Sequence, residues 1–276
     1  MCECFPKMRD LEDNYDHEDN ENDMEYILEC VLMEDDGSDE YKELRNNYNS
    51  QLTQSCKCSK GVCSDLAECP HGGAYKYSSN KSELVLKSNN SLPIFECNGS
   101  CECGINCGNR LVQNGPRRDL EIFDSPLYHS KGVRTTVNIP QGAFICEYAG
   151  ELITKTESQR RIEVNDSLGY MNYVLCLKEF ASEEISEVTI VDPCRRGNIG
   201  RYLNHSCQPN CQIMAVRVEC PIPKIGIFAS RDIHALEELC FHYGGEETRP
   251  KTGSCKICLC GSLNCSGFMP NTEMNL

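Results

Sequence analysis

Short apolar runs broken by turn residues fill the middle of the chain. The stretches GAFICEYAGELI (142–153), NYVLCLKEF (172–180), EVTIVDP (187–193), CQIMAVRVEC (211–220) and KIGIFAS (224–230) are rich in β-branched and aromatic residues. Gly, Pro, Asn and Asp punctuate them, which is the pattern of strands joined by tight turns. One helix is predicted over TKTESQRRIEV (154–164), because Thr154 opens it and Glu157 follows three residues later, as in a capping box. Residues 120–245 therefore read as a mostly β body. Strands and helices do not alternate, no glycine fingerprint follows a strand, and there is no P-loop, so dinucleotide and nucleoside-triphosphate readings are weak.

Composition changes this picture at the two ends. The 276 residues carry a formal net charge of −15, but residues 10–43 hold 16 Asp/Glu against the single Lys42. The remainder, with 26 acidic and 26 basic residues, is neutral. The acidic run, poor in apolar residues, is expected to be a disordered tail over residues 1–50. YILECVLM (26–33) is too short to be read either as a strand or as part of that tail. No apolar run approaches the roughly 20 residues of a membrane span, and no basic-then-apolar signal opens the chain. The expectation is an intracellular protein with reduced thiols and no membrane partner.

Twenty-two cysteines fall largely into fields. The first runs from CKCSKGVC (56–63) through Cys69 to CNGSCECGINC (97–107), eight cysteines within 52 residues. Cys56, Cys58, Cys63, Cys69, Cys97, Cys101, Cys103 and Cys107 are too tightly spaced for ordinary single-zinc fingers, and suggest several zinc ions sharing bridging thiolates. A disulfide framework is the rival, disfavoured by the compartment. The last field, CKICLCGSLNC, offers Cys258, Cys260 and Cys265, one ligand short of tetrahedral zinc. Cys207, in RYLNHSCQPNC (201–211), is a candidate fourth. That stretch also allows another reading, a nucleophilic Cys207 with His205 as its base, since residues two apart on a strand share a face.

Four phrases in series, FECNGSCECGINCGNRLVQNG (95–115), CEYAGE (146–151), RGNIGRYLNHSC (196–207) and CLCGSLNCSGFMP (258–270), resemble the SET-domain histone-lysine methyltransferases. The cysteine field before them is similar to the pre-SET region of the suppressor-of-variegation branch, and the resemblance covers residues 56–270. It implies a fold of small, mostly antiparallel sheets with a knot-like crossing of two C-terminal segments. A pre-SET zinc module (51–118) and a post-SET zinc module (246–276) would flank a SET catalytic domain (119–245).

The resemblance implies methyl transfer from S-adenosylmethionine to a lysine of the histone H3 tail, in the nucleus and on chromatin. One branch of the family points to lysine 9, another to lysine 36. In that reading Tyr243 is the catalytic tyrosine, Tyr148 lines the lysine channel, and Phe241 sets how many methyl groups fit. A phenylalanine there favours di- or trimethylation. The cofactor is assigned to Ser130, Lys131, Gly132, Tyr173, Arg201, Asn204, His205 and Phe268. The peptide would add as a strand in a groove, and no sequence-specific nucleic-acid contact is expected.

Three departures stand out. Ser130-Lys131-Gly132 stands where the family has Gly-Trp-Gly, and it keeps alive a rival reading as a zinc-stabilised chromatin scaffold with an impaired cofactor site. The family's ninth pre-SET cysteine is replaced by His71, itself an acceptable zinc ligand. Recruitment of Cys2 or Cys4 is the alternative. Three zincs are expected in the pre-SET cluster and one in the post-SET module. Finally, His242 replaces the usual Asp before Tyr243. The remaining cysteines, Cys30, Cys146, Cys176, Cys194, Cys211, Cys220, Cys240 and Cys255, read as small buried hydrophobes.

Overall fold

The computed structural model describes residues 24–58, 63, 69–79, 83–87, 93–181, 184–244 and 256–270. Five small sheets and two α-helices are found among them.

The five apolar runs become the central strands. Lys224–Ala229 pairs antiparallel with both Cys211–Arg217 and Phe144–Glu147, and Ile94–Phe95 joins in parallel at the edge. Glu184–Gly197 pairs antiparallel with Leu175–Ala181 and with Gly150–Leu152. The predicted helix is α2, Lys155–Leu168. Thr154 is its N-cap, accepting from the Glu157 N–H at 3.1 Å, and Gly169 closes it in the left-handed region at φ 70°. Ile145, Ile225, Ile227, Val133, Leu203 and Leu239 are fully buried between these layers and form the main core.

Two arrangements follow from the tertiary fold alone. The segment Asn204–His205 pairs in parallel with Cys240–Phe241, placing Asn204 opposite Cys240 and His205 opposite Phe241. Thirty-odd residues of sequence separate these partners, so the crossing of the two C-terminal segments is a long-range contact. A hairpin of Leu120–Ser125 and Ser130–Thr135 lies beside it, tied to it by Asn204 Nδ2 donating to the Lys131 carbonyl at 3.1 Å.

The tail expectation is corrected over residues 24–49. Glu25–Tyr26 pairs in parallel with Glu184–Gly197, and Val31–Leu32 pairs in parallel with Gly150–Leu152. Helix α1, Asp39–Asn49, follows, with Ser38 capping it by accepting from the Tyr41 N–H at 3.0 Å. Tyr41 and Met33 are buried against Ile153 and Ile190. Charge density alone suggested a solvated segment, but the apolar residues Tyr41, Leu44 and Tyr48 recur at helical spacing and give this strap a face to bury. The more acidic residues 10–23, together with Cys2, Cys4 and Cys255, lie outside the described residues.

Candidate active site

Three aromatic side chains predicted from the sequence meet in one place. The strand Phe144–Glu147 delivers Tyr148 just past its end, and Cys240–Phe241 delivers Phe241 and, two residues on, Tyr243. The ring centroids of Phe241 and Tyr243 are 4.8 Å apart, and those of Tyr148 and Phe241 are 6.1 Å apart, edge-on. Both phenols donate to carbonyls: Tyr243 to Leu203 at 2.8 Å and Tyr148 to Tyr173 at 2.6 Å. Burial pushes both phenol pKa values up, reinforced by Cys240 around Tyr243 and by Tyr243 around Tyr148. Neither phenol is therefore poised as a base; each is a neutral donor fixed in orientation.

The turn Ile199–Tyr202 sits behind this group. Asn198 caps it, accepting from the Gly200 N–H at 3.0 Å while its Nδ2 donates to the Glu147 carbonyl at 2.8 Å. The turn is thereby bound to the strand carrying Tyr148. Arg201 is buried in the turn, its guanidinium 4.3 Å from the Tyr173 ring centroid and 5.3 Å from that of Tyr202. Its Nε is buried without a hydrogen-bond partner.

Asn204 and the hairpin residues are in contact. Asn204 Nδ2 also donates to Glu238 at 2.9 Å, and the Ser130 hydroxyl lies 3.5 Å from Asn204 Oδ1. A side chain at Gly132 would meet that same Glu238 carboxylate. An open cavity of about 530 Å³ lies along the hairpin turn, walled by Asp124, Ser130 and Lys131 among others. Asp124 and Lys131 form an ion pair at 2.9 Å, so this wall offers both signs of charge to a ligand carrying an ammonium and a carboxylate. These groups fit the amino-acid end of a cofactor such as S-adenosylmethionine.

The His205 ring is committed elsewhere. It is fully buried, Nδ1 accepts from the Tyr243 N–H at 3.2 Å, and Nε2 lies 3.5 Å from Cys207 Sγ. Burial and the neighbouring His242 push its pKa down to about 4, which keeps it neutral. Phe268 lies beyond the last cysteine, bridged to Ile257 through the backbone, with its side chain 45% exposed.

The cysteine fields gather as the spacing suggests. Cys207 Sγ is 3.8 Å from Cys258 and 3.9 Å from Cys265, and with Cys260 these four sulfurs form one ligand-sized group. In the first field, three such groups share members: Cys56, Cys69, His71 and Cys97; Cys56, Cys63, Cys97 and Cys103; and Cys56, Cys58, Cys63 and Cys69. Cys107 lies 3.9 Å from Cys97, and Cys101 accepts from the Cys56 N–H at 3.5 Å. His71 Nδ1 is 3.7 Å from Cys69 and 3.9 Å from Cys97, inside the cluster rather than in solvent.

Cys56 belongs to all three groups of the first field, and Cys63, Cys69 and Cys97 to two each, so the groups share sulfurs as metals bridged by thiolates would. Burial raises the Cys63, Cys97 and Cys258 thiols, whereas hydrogen bonds bring Cys56 and Cys260 down to about 6 against the same burial. Collecting thiolates in a buried space is costly without a cation, and a divalent soft-to-borderline metal removes that cost. The donor sets fit zinc.

Residues that the sequence reading did not single out are Glu238, Asn198, Tyr128 and Leu203. Tyr128 donates to the His205 carbonyl at 2.7 Å and Glu238 orients Asn204. Asn198 lies inside the recognised phrase 196–207 and Glu238 outside all four; only their three-dimensional neighbours give them a task.

Comparison with known proteins locates a SET domain at residues 130–244. Bovine histone-lysine N-methyltransferase SETMAR is 36% identical over 237 residues, covering 80% of this chain and 76% of the relative. The probable histone-lysine N-methyltransferase set-23 of Caenorhabditis elegans is 42% identical over 216 residues, covering 75% and 86%. Among solved structures, the methyltransferase domain of human SETMAR matches with a TM-score of 0.72 and 32% identity, covering 90% of this chain and 89% of that one. KRYPTONITE in complex with mCHH DNA, an H3(1-15) peptide and SAH matches with a TM-score of 0.63 and 26% identity, covering 89% and 47%.

Proposed function

The chain belongs to the SET-domain histone-lysine methyltransferases, and from that premise we propose that it methylates a lysine of the histone H3 tail, lysine 9 or lysine 36, to the di- or trimethylated state. The single observation that carries the residue assignment is the meeting of Tyr148, Phe241 and Tyr243 beside the Arg201 turn. The KRYPTONITE complex, solved with SAH and an H3 peptide, supports the choice of cofactor and substrate.

S-adenosylmethionine, when bound, supplies an electrophilic methyl group on a sulfonium. The chain's own residues then solve an orientation problem. Tyr243 and Tyr148, each locked by a carbonyl acceptor, wall a narrow channel that excludes water. A lysine amine has a pKa near about 10.4 in water, and desolvation in such a channel favours its neutral, nucleophilic form. No general base is required. Arg201 holds the Tyr173 ring by cation–π contact, while Asn204, Ser130, Lys131 and Gly132 line the cofactor side. His205 acts by fixing the Tyr243 main chain, and Phe268 flanks the adenine end. Phe241 leaves the space that a tyrosine hydroxyl would fill, which admits the second and third methyl groups.

Three zincs in the pre-SET cluster and one held by Cys207, Cys258, Cys260 and Cys265 complete the assignment, with modules at 51–118, 119–245 and 246–276. The site of action is the nucleus. The test is transfer of labelled methyl from S-adenosylmethionine to H3 peptides and nucleosomes, with mass mapping of the product. Label on a single tail lysine, abolished by Tyr243→Phe, is expected; no label together with no calorimetric binding of the cofactor overturns the reading in favour of a scaffold.

A further inference from the structure

The hairpin on the cofactor side turns through Pro126, Leu127, Tyr128 and His129. The His129 N–H closes the turn by donating to the Ser125 carbonyl at 2.9 Å, with His129 in the left-handed region at φ 54°. Hydropathy is inverted within it: Leu127 is exposed, while Tyr128 is half-buried. A phenol takes the inner place when its hydroxyl finds a partner there.

That partner lies on the crossing. The Tyr128 hydroxyl donates to the His205 carbonyl at 2.7 Å and lies 3.6 Å from Cys240 Sγ, so it touches both of the paired segments Asn204–His205 and Cys240–Phe241. Burial, and after it the adjacent Cys240, push the phenol pKa up, which keeps it a neutral donor.

A second tie runs from the same turn. Ser125 is buried; its Oγ donates to Glu238 Oε2 at 2.7 Å and accepts from the Tyr128 N–H at 3.4 Å. Glu238 Oε1 in turn accepts from Asn204 Nδ2, which also reaches the Lys131 carbonyl. The contacts close a circuit: Tyr128 to His205, the adjoining Asn204 to Glu238, Glu238 to Ser125, and Ser125 back to Tyr128.

The circuit has Ser130–Gly132 on one side and, through His205 Nδ1, the Tyr243 main chain on the other. An in-line displacement tolerates little error between donor and amine, and a misplacement of about 1 Å can cost about a hundredfold in rate.

We propose that Tyr128 is a positioning residue for methyl transfer: its hydroxyl latches the cofactor-side hairpin to the crossing that carries Tyr243, and so aligns the methyl donor with the lysine amine. This rests on the assignment of Ser130, Lys131 and Gly132 to the cofactor.

The experiment compares the zinc-loaded full chain with Tyr128→Phe, which removes the hydroxyl and keeps the aromatic ring, and with Tyr77→Phe, which alters an exposed phenol outside the circuit. Methyl transfer to histone H3, calorimetric binding of S-adenosylmethionine, thermal melting, and hydrogen exchange without cofactor are measured for each. In Tyr128→Phe, kcat is expected to fall about tenfold, while the histone KM and the cofactor Kd stay within about threefold. Amide exchange should quicken over 203–206 and 240–243 and stay unchanged in α2, and Tyr77→Phe should match the unaltered chain. Ser125→Ala opens the same circuit, so the double variant should lose no more in kcat than the worse single one.

With the unaltered chain active, full kcat in Tyr128→Phe, a loss confined to KM or Kd, unchanged exchange over 203–206, or additive losses in the double variant each overturns this proposal alone. So does a drop in melting temperature with faster exchange in α2, the mark of a general loss of stability. No transfer by the unaltered chain overturns the proposed function and this inference with it.

Discussion

The main-chain N–H of Tyr243 donates to Nδ1 of His205 over 3.2 Å. Since Nδ1 is thereby the acceptor, Nε2 carries the ring proton, and it points at Cys207 Sγ 3.5 Å away. One neutral imidazole thus joins the C-terminal sulfur cluster to the backbone of Tyr243, the tyrosine proposed to be catalytic.

His205→Ala breaks that link. A buried N–H left unpaired costs about 1–3 kcal/mol, so denaturant unfolding should show a loss of that order. Methyl transfer should fall at least tenfold, through kcat more than through peptide KM, because the tyrosine shifts while the peptide groove stays.

Metal removal should have the same consequence from the other side. Total zinc by mass spectrometry is expected near four per chain, and chelation should abolish methyl transfer although no metal takes part in the chemistry. In His71→Ala the content should drop to near three, because His71 lies within reach of Cys69 and Cys97.

Gly132 has no room for a side chain. An added Cβ would stand 2.5 Å from Glu238 Oε1 and 3.2 Å from Phe123. Gly132→Ala therefore pushes the carboxylate off Asn204 Nδ2, which it holds at 2.9 Å. Calorimetry should show cofactor binding weakened by tenfold or more, whereas the overpacking itself costs about 1–3 kcal/mol of stability.

The strap should be integral to stability. Tyr41 is buried against Ile153 and Ile190, and Tyr41→Ala is expected to cost about 3 kcal/mol, in line with other large aromatic truncations. A solvated tail would show no change in a urea melt.

The pH dependence follows from Tyr243. Its folded pKa is raised by burial, so the folded state keeps the phenolic proton where the unfolded chain, near about 10, has lost it. Stability is unaffected by this group below that value and falls as pH rises above it. Spectrophotometric titration should find a group of buried tyrosines, Tyr148 and Tyr243 among them, that ionises only on alkaline unfolding.

Much of the site was legible before any coordinates. The Thr154 cap and Glu157 located α2, and the β-branched runs located the central strands, because both rest on local backbone preferences. The sulfur groups able to hold a metal were legible because thiolate spacing is itself the chemistry. The strap was not: its acidic residues dominate composition, and the recurrence of Tyr41, Leu44 and Tyr48 gains meaning only when a surface exists to bury it.

By itself, the sequence determined the family, through the order of its phrases, and the grouping of Cys258, Cys260 and Cys265 with Cys207 as their complement. Tertiary structure decided what those residues do to one another. It committed the His205 ring to the Tyr243 main chain and to Cys207, and gave Glu238 the task of orienting Asn204. The physical reason is range. Capping, strand propensity and thiolate spacing act over a few residues, whereas His205 and Tyr243, or Asn204 and Glu238, stand more than thirty residues apart, and only the packed core brings them within hydrogen-bonding distance.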